Sequence, residues 1–80
     1  MNNSFRKITI TSYPNLYRGG DSVGVLDKSV QEITINTNQI LYIRKYDDYS
    51  SVSLIEMVKK NCYFYALHTP EELMEIINGT

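Results

Sequence analysis

Eighty residues, 42% of them hydrophobic and 21% charged, with a formal net charge of -1, describe a single small globular domain. One cysteine, Cys62, excludes an internal disulfide, and one histidine, His68, leaves no Cys/His cluster for zinc. The slightly negative balance argues against a binder that works by neutralising phosphates, and no stretch is long and apolar enough to cross a membrane.

The first residues, MNNSFRKITI, lack the apolar core of a signal peptide, which makes a cytoplasmic location the expectation. From Arg6 to Ser12 the chain alternates, with Ile8 and Ile10 on one parity and Lys7, Thr9 and Thr11 on the other, as a half-buried strand does. Pro14 ends that pairing. Residues 14–30 are expected to form a mobile excursion, with a turn at Gly19-Gly20-Asp21 and one short strand at Val23 to Leu26. Glu32 to Ile35 is a second short strand, broken by Asn36-Thr37-Asn38.

The stretch from Ile40 to Met57 carries two runs of β-branched and aromatic residues around a polar centre at Asp47 and Asp48, the pattern of an antiparallel hairpin. A second turn follows at Val58 to Asn61, with Asn61 suited to a positive φ, and Cys62 to Leu67 continues the meander as a third strand. Thr69, Pro70 and Glu72 spell a helix N-terminus with a capping box. Leu73, Ile76 and Ile77 recur at helical spacing, and Gly79 ends the helix. The expected fold is α+β: one domain over residues 1–80, with a largely antiparallel sheet of four to five strands and one C-terminal helix packed on one face.

Ile35-Asn36 followed by Ile40, the segment Ser51-Val52-Ser53-Leu54, and the ending Thr69-Pro70-Glu71-Glu72-Leu73 before Ile76 and Ile77 resemble the small FlbD-type proteins of flagellar operons. The resemblance covers residues 33–77 and implies a small antiparallel sheet closed by one C-terminal helix. Residues 14–30 depart from that family's short N-terminal hairpin, so it implies a fold and carries over neither a flagellar role nor a catalytic residue.

A short helix covers one face of a sheet, while both parities of the strands are apolar. On parity alone, Val52 and Leu54 are assigned to the helix face with Phe64 and Ala66. Ile55, Met57, Tyr63, Tyr65 and Leu67 are assigned to a second face that serves as a partner or oligomer interface. Seven tyrosines with no tryptophan fit that use, since tyrosine combines contact area with a water-tolerant hydroxyl.

Other stretches carry weaker chemistry. Arg18, Gly19, Gly20 and Ser22 have the makings of an anion nest for a nucleotide, without the Walker or dinucleotide spacing. Arg44 and Lys45 among Tyr42, Tyr46 and Tyr49 resemble a basic-aromatic strand for single-stranded nucleic acid. Asp47 and Asp48 read as a hairpin tip, His68 as a strand end, and Cys62 as an inert core thiol. No constellation for catalysis or metal binding stands out, and no cofactor is expected. The expectation is therefore a non-catalytic module that self-associates and binds a protein partner, of the regulator or inhibitor type encoded by phages and mobile elements. Anion capture and nucleic-acid binding are the alternatives.

Overall fold

The computed structural model describes residues 4–17, 27–48 and 51–79. Among these residues, five strands form one antiparallel sheet: β1 (Phe5–Thr11), β2 (Gln31–Asn36), β3 (Ile40–Lys45), β4 (Ser53–Met57) and β5 (Tyr63–Ala66), followed by helix α1 (Pro70–Asn78). The spatial order is β2-β1-β5-β4-β3, so the expected meander β3-β4-β5 is present and β1 closes the sheet against β5. The expected strand at residues 23–26 lies outside the described residues, as do Arg18, Gly19, Gly20, Ser22 and Tyr49.

Register decides which side chains share a face, because directly opposed residues in an antiparallel pair point the same way. Ile55 opposes Phe64 on one side and Ile43 on the other, whereas Leu54 opposes Tyr65. Ile10 opposes Ala66, and Ile8 opposes Ile33. One face therefore carries Ile8, Ile10, Ile33, Ile43, Ile55, Phe64 and Ala66, and Leu73 of α1 is buried in the same cluster, with Ile76 packed against it.

This corrects the parity assignment. Ile55 is fully buried in the core beneath the helix and so belongs to no free interface, and Met57, half-buried, packs against that core from the helix side. Val52 and Leu54 instead share the face of Tyr63 and Tyr65. Alternation along β4 fixed which residues go together, but only the pairing of β4 with β5 joined Ile55 to Phe64 rather than to Tyr65. Full burial of an isoleucine side chain contributes about 1.5–3 kcal/mol, and that weight fixes the register.

The helix forms where its signals stand. Thr69 accepts from the Glu72 amide at 3.1 Å, and Glu72 Oε1 accepts from the Thr69 amide at 2.8 Å. Gly79 closes the helix in the left-handed region, φ 74°. No basic residue of α1 itself lies in its last turn, and Arg6 of β1 takes that place, its Nε donating to the Ile76 carbonyl at 3.0 Å. Asn61 holds the expected positive φ, 62°, in the β4–β5 turn.

Where β1 runs past the end of β5, ordinary ladder bonds give out. Thr9 accepts from the Leu67 amide at 2.8 Å, but its own N–H donates at 3.1 Å to Nε2 of His68. The imidazole substitutes for a missing carbonyl, which puts the ring proton on Nδ1. His68 is thus a ladder component at a strand end, and its carbonyl accepts from the fully buried Ser53 hydroxyl at 2.7 Å.

Candidate functional site

The face away from α1 is covered at one end and open at the other. Its covered end begins with residues 14–17, a 3-10 turn whose Pro14 is buried. Asn15 Oδ1 accepts from the Tyr46 hydroxyl at 2.8 Å, placing this turn over the β3–β4 end of the sheet. Val52 is fully buried yet stands outside the cluster beneath the helix.

A carboxylate anchors that cover. Among the described residues, Asp27 accepts from four donors: the Thr11 hydroxyl, the Tyr17 hydroxyl at 2.7 Å, and the Ser29 amide and hydroxyl at 2.9 and 2.6 Å. Ser29 Oγ in turn accepts from the Ser12 amide, and Thr11 Oγ1 accepts from the Tyr13 amide. The Ser29 and Thr11 hydroxyls hold the Asp27 carboxyl well below the usual carboxylate range, and the same carboxylate pushes the Tyr17 phenol up. Both ends of the excursion are thereby pinned to the end of β1. The Asp-Lys-Ser spacing, in which an Asp side chain caps the amide two residues on, was the signal in the sequence.

At the open end, Tyr42, Glu56 and Tyr63 form a cross-strand row over β3, β4 and β5, and Arg44, Leu54 and Tyr65 form the next. Tyr63 is 52% exposed and Tyr42 41%. Tyr65 meets Tyr63 edge-on at 5.5 Å between ring centroids and Tyr46 edge-on at 5.4 Å. This geometry fixes the rings without hiding them. Desolvation within the set, together with the neighbouring Tyr63, raises the Tyr65 phenol above its ordinary value. The Arg44 guanidinium lies 5.9 Å from the Tyr42 centroid, a cation-π placement.

Of the five residues assigned to the interface, Tyr63 stands exposed on this face and Tyr65 is half-buried beside it. Leu67 is half-buried, while Ile55 and Met57 lie opposite, on the helix side. Parity alone had not gathered Tyr42, Arg44, Leu54 and Glu56 with Tyr63, since their common face follows from register. Lys45 opposes Ser53 and so lies on the helix side, which separates it from Arg44. Asp47 and Asp48 sit in the β3–β4 connection.

Beside the open face, a cleft of about 480 Å³ lies between the bulge of β3 and the β4–β5 turn, lined by Leu41, Met57, Val58, Lys59, Cys62 and Tyr63 among others. Cys62 is only partly buried on its wall and stands outside the core cluster where its parity placed it, because it precedes β5 in the turn. Among the described residues no group of three His, Cys, Asp or Glu side chains could hold a metal ion, and no helix is long and apolar enough to cross a membrane. Compared with protein-family models, curated proteins and solved structures, the chain finds no match.

Proposed function

We propose that the chain is a non-catalytic binding module that self-associates and acts by occupying a protein partner, as a regulator or inhibitor does. The observation that carries this reading is the row Tyr42, Glu56, Tyr63 beside the edge-packed pair Tyr63 and Tyr65, on the sheet face that α1 leaves uncovered. Exposed aromatics held by ring packing lose little side-chain entropy on binding, and aromatic anchors carry most of the binding energy in protein interfaces. Glu56 in the centre of the row favours a protein partner over a nucleic acid, because a carboxylate between two stacking rings repels a phosphodiester backbone.

The test is capture from a lysate of the source organism by immobilised chain, with Tyr42→Ala/Tyr63→Ala as the comparison. The expected result is a discrete protein retained by the wild type and lost with the double variant, whose melting temperature stays near that of the wild type. Retention of the same protein by both forms sinks the assignment to this face, and retention of nucleic acid in its place at low salt sinks the protein-partner reading.

A further inference from the structure

Among the described residues, the two outer strands of the sheet, β3 and β2, differ in a way that bears on the self-association half of this reading. An edge strand exposes a row of unpaired backbone N–H and C=O groups, and proteins blunt such edges with bulges and basic side chains. β3 has both: its register shifts between Ile40 and Tyr42, and it ends in Arg44 and Lys45. β2, Gln31–Asn36, pairs with β1 without a shift and contains no lysine, arginine or proline.

Hydrogen bonding fixes which groups of β2 face outward. The Thr37 amide donates to the Ser4 carbonyl, in the register that opposes Asn36 to Phe5, so Ile35, Ile33 and Gln31 turn their backbone groups toward β1. Glu32, Thr34 and Asn36 turn theirs outward. An antiparallel copy of β2 set about Thr34 then meets itself without conflict. Thr34 opposes Thr34, Glu32 opposes Asn36, and Ile33 opposes Ile35 on the helix side, where Ile33 is only half-buried. The two Glu32 carboxylates end four positions apart, about 13 Å along the strand. Centring on Ile33 brings them within two positions and sets Gln31 against Ile35.

We propose that the chain forms a twofold dimer by antiparallel pairing of β2 with β2 of a second copy, with Thr34 at the axis. About four to six backbone hydrogen bonds join the edges, and the two sheets become one whose uncovered faces, with their Tyr42 and Tyr63 rows, lie on the same side. The proposal rests on the self-association stated above and adds where it occurs.

Sedimentation of the full chain over a concentration series tests it, with Thr34→Pro and Thr34→Lys as variants. Proline at an edge position with an outward N–H leaves the monomer fold intact. Both variants are expected to sediment as monomers where the wild type dimerises. Thr34→Lys is expected to weaken the dimer about tenfold or more, with partial recovery at high salt, since the two new charges face each other. In a Cys62→Ser background, Thr34→Cys is expected to cross-link as a dimer under mild oxidation while Arg44→Cys does not, because opposed hydrogen-bonded residues stand about 5.5 Å apart at Cα, within disulfide reach. A wild type that dimerises equally well with either Thr34 substitution overturns the edge assignment and leaves self-association standing. A wild type that is monomeric throughout overturns both, while capture by the tyrosine face is decided separately.

Discussion

Tyr17 donates its phenolic hydroxyl to Asp27 Oδ2 at 2.7 Å, so the two ends of the segment between them are tied together at one carboxylate. The depressed Asp27 pKa has a defined sign in stability. A carboxylate held below its unfolded value, about 3.9, stabilises the fold above that value and loses this contribution as pH falls through the folded value. Asp27→Asn is expected to lower the melting temperature at neutral pH, because the new amide N–H₂ meets hydroxyl and amide donors. The gap to the wild type should narrow as the buffer is taken from neutrality toward pH 2. Thermal unfolding of both forms across that range checks it, and a gap that stays constant contradicts the role given to the ionised carboxylate.

At the alkaline end the Tyr17 phenol works in the opposite direction. Its pKa is raised chiefly by the hydrogen bond it donates to Asp27, so its contribution is present below the unfolded value, about 10, and is lost as pH rises through the folded value. Tyr17→Phe should therefore melt below the wild type at neutral pH and converge with it in strong alkali, as followed by circular dichroism.

Ile55 and Leu54 are neighbours in β4 on opposite faces, one fully buried and the other half-buried. Ile55→Ala should cost about 3 kcal/mol, as truncation in a core does, and Leu54→Ala about 1 kcal/mol, the central value for point substitutions. Urea unfolding separates them, and the reverse order contradicts the register of β4 against β5.

Thr69→Ala should cost about 1 kcal/mol through the lost helix cap. Glu72, whose pKa is lowered chiefly by the hydrogen bond it accepts from the Thr69 amide, adds an acid-labile share that fades as pH falls through its folded value. Gly79→Ala is unfavourable for two reasons that act together: a left-handed backbone, and a Cβ that would stand 2.8 Å from an Arg6 guanidinium nitrogen. Its cost should be about 1 kcal/mol or more, and Arg6→Met in the same background should remove the steric share. Denaturant midpoints of the single and double variants give that coupling.

His68→Ala leaves the Thr9 N–H without its acceptor and should cost about 1–3 kcal/mol. His68→Gln, whose side-chain carbonyl can accept, should recover part of the loss. Equal losses in both variants would mean that the ring matters for its bulk, a point denaturant unfolding of the pair resolves.

Much of this fold is written locally, because its causes act over a few residues. Thr69, Glu72 and Gly79 specify where α1 starts and stops, Asn61 permits the β4–β5 turn, and the alternation of Ile8 with Ile10 marks β1 as a half-buried strand. Together with the β-branched and aromatic runs of β2 to β5, such signals placed all six elements, β1–β5 and α1, and the α+β class. What they could not give was register. Sliding β4 by one residue against β5 exchanges Ile55 for Leu54 beneath the helix, and both are apolar, so side-chain pattern alone does not choose between them. Only the pairing of Ile55 with Phe64 and Ile43, together with the seating of Leu73, makes the choice. The covered end of the second face has a similar origin, since Asp27 gathers donors from as far away as Thr11. By itself the sequence determined a sheet with two apolar parities and one capped helix; the tertiary structure decided which parity the helix buries, and hence that the tyrosines of β3 and β5 share the open face.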